Sequence, residues 1–399
     1  MYFTILWIVI AIGLLWGFLF LLKRFYDLEE HSISVDPGVL TWRTKYGLGV
    51  LDRIAKSSKR FWRIFGRIGA GTGIVLMGVM FFLIVSSAFI LSTRGAPPGI
   101  EGRPGVMPVV PGITTPLVAG IIALIIVLLT HEPAHGIIAR SVDIDIKSTG
   151  LALFLVIPGA FVEEDEEEFE NASPFDRIQM AGAGPFANIL LGLACLLLIL
   201  GLISPLPGLY VSDTLENYPA EKAGLPPGSR LIRIDNVVID SYSDFDSFLD
   251  NKDPGQRVTL FTSENKYDIV LENKEYKVGV SVVPITSVSK YALLRPSGIY
   301  SVAFSEIFSS FYQGIPLISA YTYEGSVPWS VLNVLKWIFT LNLLVGLFNL
   351  LPLKPLDGGH IVEGLAEKIT SKPRAKDIAN WVSGITLVVI LITAVMPML

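Results

Sequence analysis

The stretch "LLTHEPAHGIIAR" (residues 128–140) closes an apolar run that opens near Leu117 and carries no charged side chain before Glu132. About 20 apolar residues are what a helix needs to cross a bilayer. His131, Glu132 and His135 therefore enter a membrane-length segment, where each polar side chain costs free energy. Helical spacing i and i+4 brings His131 and His135 onto one face, a turn apart, where both imidazoles reach one Zn2+. Glu132 then stands beside the metal, ready to take a proton from a bound water. Two histidines satisfied by neighbouring helices would leave Glu132 unexplained, because an unpaired carboxylate is a poor structural choice in hydrocarbon. Pro133 has no N–H, so the Leu129 carbonyl loses its helical partner. A tolerated kink and extra room for water are both consistent with that loss.

The rest of the chain has the composition of a membrane protein. Of its 399 residues 51% are hydrophobic and 17% charged, against about 25% charged in a soluble domain. The apolar residues fall in blocks, and six runs are long enough to span: 2–22, 69–91, 117–138, 180–203, 331–351 and 378–398. The expected fold is a polytopic α-helical membrane protein of about six helices. The first run has no basic residue before it and exceeds a signal peptide's apolar core, so it is expected to be a retained helix. A net charge of −5 offers nucleic acid no surface, and the single Cys195, in an apolar run, is expected to pack rather than to react.

Charge sets the expected orientation. Residues 23–68 carry ten Lys/Arg, whereas 92–116 carry Arg94 and Arg103. Positive-inside counting places 23–68 in the cytoplasm and both chain ends outside. The basic connector 352–377 agrees. Span 117–138 then runs inward. With a rise of about 1.5 Å per residue, His135 lies roughly 8 Å and His131 roughly 13 Å from Arg140, nearer the cytoplasmic face.

Three further segments stand out. "LALFLVIPGAFV" (151–162) is too short to span and is broken by Pro158 and Gly159, which predicts a re-entrant or interfacial hairpin or strand. The acidic run 163–170 after it reads as a solvated face. From 205 to about 285 strand-like runs ("RLIRID", "RVTLFT", "YDIVLE", "YKVGVSVV") alternate with turn signals, predicting a small β-rich soluble module outside the membrane. Residues 297–323 are expected to form an interfacial amphipathic helix rather than a seventh span.

A catalytic zinc needs a third protein ligand and an open position. The stretch "FNLLPLKPLDGGHI" (348–361) ends a span that also runs inward. Pro352 and Pro355 stop its helix, and Gly358 and Gly359 permit close backbone approach. Asp357 is the one carboxylate between Glu324 and Glu363. It is the favoured third ligand, with His360 as its rival.

These residues resemble a family. His131-Glu132-Pro133-Ala134-His135 in one span, with Asn349, Pro352 and Leu356-Asp357-Gly358 in a later one, resemble the site-2 proteases, which are intramembrane zinc metalloproteases. "MAGAGPFAN" (180–188) is similar to the family's Gly-Pro…Asn segment. "YPAEKAGLPPGSRLIRIDNVVI" (218–239) resembles the core of a bacterial-type PDZ domain, with Ser229 and Val237 where the family usually shows Asp and Gly. The resemblance covers about 117–290 and 330–365.

The resemblance implies cleavage of single-span membrane proteins within or beside their helices. It implies one Zn2+ held by His131, His135 and Asp357, with Glu132 as general base. Asn349, and with it Asn188, is implied to position substrate or transition state, and the PDZ-like module is implied to take a peptide ligand. The expected layout is 1–68, a first helix and basic cytoplasmic connector; 69–116, a second helix and outer loop; 117–204 and 329–399, a catalytic core in two parts; 205–290, the PDZ-like domain; and 291–328, a linker or interfacial helix. Two other readings fit parts of the chain: a PDZ-bearing scaffold without catalysis, and a different membrane zincin. A scaffold has no need of Glu132, and other zincins are expected to take a later Glu rather than "PLDGG".

Overall fold

Every predicted apolar run lies in a helix, and most of these helices begin before the run does. The computed structural model describes residues 2–96, 105, 109–155, 157–202, 204–205, 208–215, 217–226, 229–263, 265–272, 277–285, 321–322 and 327–398. Except for 321–322, the segment 297–323 lies outside them. The chain divides into two units, 1–193 with 337–399, and 194–336. Among the described residues, five helices are long and apolar enough to cross a membrane: Lys59–Arg94, Leu117–Ser141, Pro174–Leu202, Ser330–Asn349 and Lys372–Met398. The protein is a multi-pass membrane protein.

The first unit opens with helix α1 (Tyr2–Phe25). Two short strands follow, β1 (Ile33–Asp36) and β2 (Val39–Thr44), joined by a turn at Gly38, whose φ is 79°. Helix α2 (Leu48–Ser57) lays Leu51 and Ala55 against Ile137. Helix α3 (Lys59–Arg94) is capped by Ser58, which accepts from the Phe61 N–H. It starts ten residues before the predicted span because Lys59, Arg60, Arg63 and Arg67 extend from its first turns as long cationic stems. Next come α4 (Leu117–Ser141), the hairpin β3 (Ile146–Phe154) and β4 (Ile157–Glu164), α5 (Glu166–Asn171) and α6 (Pro174–Leu202).

The two hairpins form one antiparallel sheet of order β1-β2-β3-β4. Leu151 pairs with Trp42 on one side and Ala160 on the other. Strand β3 is therefore interior, and β4 is an edge. The hairpin tips are tied by the Leu155 N–H donating to the Gly38 carbonyl at 2.8 Å. The Trp16 indole N–H of α1 caps them through the Leu155 carbonyl at 3.1 Å. The acidic run is largely engaged rather than merely solvated. Glu163 accepts from Ser148, Asp165 caps α5, Glu168 accepts from the Asp145 N–H, and Glu170 pairs with Lys372.

The second unit begins within α6 and includes β5 (Ser204–Pro205), β6 (Gly208–Thr214), α7 (Pro219–Lys222), β7 (Arg230–Ile234), β8 (Val237–Val238), α8 (Tyr242–Asp250), β9 (Arg257–Thr262), β10 (Lys266–Val270), β11 (Val280–Ile285) and β12 (Tyr321–Thr322). The main sheet runs β10-β9-β7-β6-β11, with β8 on β7, and β12 pairs with β5. Each strand-like run read from sequence contributes a strand to it, the last through 280–283. Leu209, Leu231, Ile234, Leu260 and Phe245 fill its core. Helix α8 starts in a capping box, with Ser241 and Asp244 each bonding the other's backbone N–H.

The chain returns to the first unit within α9 (Trp329–Asn349), followed by α10 (Asp357–Glu367) and α11 (Lys372–Val395). Small residues let the helices approach closely. A Cβ on Gly182 of α6 would stand 2.7 Å from the Gly69 carbonyl of α3. Ala70, Ile178, Ile189, Leu350 and Ile361 join α3, α6, α9 and α10 in one apolar cluster.

Candidate metal centre

The i, i+4 spacing in α4 sets the two imidazoles edge to face, with ring centroids 4.8 Å apart. Asp357 arrives from α10, where it occupies the first turn just after the Pro-broken end of α9. Its carboxylate faces both rings, with Oδ2 3.2 Å from His131 Nε2 and Oδ1 3.5 Å from His135 Nε2. Donor atoms of the three residues all lie within 4.8 Å of one another. His360 lines the same cavity, of about 370 Å³, but stands outside this group.

The loop carrying Asp357 is folded tightly back. A Cβ on Gly358 would lie 2.2 Å from the Leu351 carbonyl, and one on Gly359 2.6 Å from the Lys354 N, so both positions need glycine. Helix α11 braces the loop from behind. The Lys354 N–H donates to Ser383 Oγ at 2.9 Å, and Thr386 Oγ1 donates to the Pro352 carbonyl at 3.1 Å. Lys354 also forms an ion pair with the buried Glu363 of α10.

The residues fit a zinc ion. Two imidazole nitrogens and one carboxylate form an accepted catalytic set that leaves a position open. Gly184 of α6 makes the room: a Cβ there would stand 2.3 Å from His135 Nε2 and 2.9 Å from His131 Cε1. Behind the cluster, His135 Nδ1 donates to the Met180 carbonyl at 2.8 Å. That contact fixes the tautomer that leaves Nε2 free to bind a metal.

Glu132 lines both this cavity and a second, apolar one of about 700 Å³. The second cavity is walled by the sheet (Trp42, Leu151, Phe161), by α2 (Leu51, Ile54) and by α4 (Leu129). Val162 of β4 lines both cavities together with Glu132. The two asparagines occupy different sides of His131. Asn349 Nδ2 lies 3.2 Å from Nε2, and Asn188 Nδ2 lies 3.1 Å from Nδ1.

Sequence reasoning missed Gly184 and the Met180 carbonyl. Gly184 stood in the quoted "MAGAGPFAN" without a role, and backbone groups leave no trace in residue identity. Arg177, buried in an ion pair with Glu367, also lines the cavity and was not singled out.

The sequence pattern of peptidase family M50 matches residues 119–393, well over half of the chain. The chain is 28% identical over 370 residues to the protein MJ0971 of Methanocaldococcus jannaschii, covering 92% of this chain and 87% of that one. It is 26% identical over 274 residues to SA1105 of Staphylococcus aureus, whose name carries the words zinc metalloprotease, covering 60% of this chain and 63% of the relative. It is 27% identical over 228 residues to eep of Enterococcus faecalis, whose name carries the word protease, covering 52% and 54%. The alignments with the last two thus span less than two thirds of those relatives. The matched region takes in the HExxH helix, the Gly184 cradle and the Asp357 loop. The chain belongs to peptidase family M50, the site-2 protease family of zinc metalloproteases.

Proposed function

We propose that this metalloprotease hydrolyses peptide bonds within or next to the membrane helices of single-span proteins, with Glu132 as general base and His131, His135 and Asp357 as metal ligands. The position of Glu132 carries the reading. It lines one cavity with the three donors and with Phe161 and Val162 of the edge strand β4. A bound zinc ion supplies a Lewis acid that acidifies a water and polarises a carbonyl. Glu132 takes one proton from that water as its oxygen attacks the scissile carbonyl carbon. It returns the proton to the departing amine as the C–N bond breaks. Asn349, on the Nε2 side of His131, donates from its amide to the oxygen that gains negative charge.

The substrate must unwind first, because a helical peptide bond is shielded by its own hydrogen bonds. In this reading the 151–162 stretch of the β3–β4 hairpin is a re-entrant element, and β4 offers its free edge to the unwound segment. The pairing replaces backbone bonds that lipid cannot satisfy. The apolar cavity beside Glu132 receives the flanking side chains. The charge pattern of the loops supports a site nearer the cytoplasmic face, with both termini and the 205–290 stretch outside.

Residues 205–290 are proposed as the PDZ-like module. Its groove, about 430 Å³ between α8 and β11, is lined by Tyr242, Phe245 and Val280. Strand β11 pairs with β6 alone among the described residues, which leaves an edge for an extended peptide.

The test is cleavage of a tagged single-span substrate by the purified, detergent-solubilised protein, with Glu132→Gln alongside and zinc content measured in both. Cutting within the span by the parent, and zinc without cutting in the variant, are the expected results. Equal cutting by both would overturn the role of Glu132.

A further inference from the structure

The two histidines are supported from behind by different groups, and one of the supports is mismatched. The Nε2 atoms of both face Asp357, at 3.2 and 3.5 Å, so an ion shared by the three lies on the Nε2 side of each ring. A neutral imidazole that binds a metal through Nε2 keeps its proton on Nδ1. For His135 that N–H meets the Met180 carbonyl, which can only accept. His131 is 6% exposed, so its Nδ1–H also needs an acceptor inside the protein. The group at 3.1 Å from that atom is the NH2 of Asn188, a donor. The Asn188 carbonyl oxygen is buried and has no hydrogen-bond partner, although the residue is fully enclosed.

A ring N–H facing an NH2 and an unpartnered amide oxygen are two halves of one mismatch. Turning the amide by half a rotation exchanges oxygen and nitrogen, which have nearly the same shape. The exchange leaves one amide atom unpaired in either orientation. The ring decides the direction, because with a metal on Nε2 its Nδ1 can only donate. Helix α9 holds the residue in place: a Cβ on Gly346 would already touch Asn188 Cβ at 3.3 Å.

We infer that Asn188 is a positioning residue whose side-chain carbonyl accepts from His131 Nδ1–H in the metal-loaded protein, fixing the tautomer and angle of that ligand. This rests on the metal site proposed above. It separates the two asparagines: Asn349 stands on the reactive side of His131, whereas Asn188 acts through the ring and touches no substrate.

The experiment is zinc titration of the full-length protein in detergent, stripped of metal and competed against a chromophoric chelator. The parent is compared with Asn188→Leu, Asn188→Asp and His131→Ala, with cobalt(II) visible spectra of each. Asn188→Leu should weaken zinc binding by roughly 10- to 100-fold, the usual loss when a ligand's outer partner is removed. Asn188→Asp keeps an acceptor and should bind zinc at least as tightly as the parent, with the parent's cobalt spectrum. Parent-like affinity in Asn188→Leu overturns the inference, including the case in which cleavage alone is lost. So does an Asn188→Asp variant that binds zinc less tightly than the parent, and this comparison stands even if the leucine variant does not fold. A parent that binds no zinc, or a His131→Ala variant that binds it equally well, instead overturns the metal site itself.

Discussion

Val162 of β4 and Glu132 of α4 line the same two cavities, strand edge beside helix. In the antiparallel register Ala160 shares its parity with Pro158, which has no N–H to give the sheet, so the Ala160 N–H turns away from β3. That group belongs to the free edge. Ala160→Pro removes it without taking a hydrogen bond from the sheet, since proline is tolerated at outward-facing edge positions. If substrate adds to β4, cleavage should fall about tenfold or more, as for loss of roughly 1.4 kcal/mol of transition-state binding. Zinc content should stay unchanged. Undiminished cleavage of a membrane substrate by this variant would remove the strand-addition step.

Gly184→Ala should act on the metal rather than on the sheet. The added methyl would sit 2.3 Å from His135 Nε2, so the imidazole must move. The expected loss of zinc affinity is roughly 10- to 100-fold, comparable to losing an outer partner of a ligand. Metal titration of the purified variant checks it, and parent-like affinity would show that the ring has room to spare.

The brace behind Asp357 makes a separate prediction. Ser383→Ala leaves the Lys354 N–H without its acceptor in a part-buried loop. Such an orphaned donor costs about 1–3 kcal/mol. Thermal unfolding in detergent should show a lower midpoint, and zinc should bind more weakly because the loop presents the third donor.

Acid should loosen the end of α4. The Lys59 ammonium, bonded to Asp143 at 2.6 Å, and the nearby Arg63 guanidinium hold the Asp143 carboxyl below its ordinary range. A lowered folded-state value means the stabilisation is present above the unfolded value of about 3.9. It is lost as pH falls below that value and through the folded one. The group is exposed, so the effect is small. Asp143→Asn should show a flatter fall in melting temperature on acidification than the parent. Parallel curves would mean the ion pair contributes nothing.

The membrane spans and the ligand set were legible because their signals are local. A membrane-length apolar run, an i, i+4 pair and a Pro-broken helix end each lie within a few consecutive residues. Strands β1 and β2 were not read. Their residues sit in the connector scanned for its Lys and Arg, and β3, which pairs with β2, lies more than a hundred residues away. The extra turns of α3 were missed because its cationic side chains look like a loop to a hydropathy reading. Contacts such as Asn188 with His131 depend on helix packing, for which residue spacing holds no record.

The apolar cavity draws Trp42, Leu51 and Ile54 from a segment that precedes the matched region 119–393. Glu132 and the three donors lie within that region, as do Leu129, Leu151 and Phe161 on the cavity's other walls. If the cavity receives substrate side chains as proposed, part of its shape is thus written outside the stretch that holds the bond chemistry. A change among residues 42–54 would then redraw which helix fits the cleft while the hydrolytic apparatus keeps its sequence, leaving relatives with the same cluster free to diverge in diet.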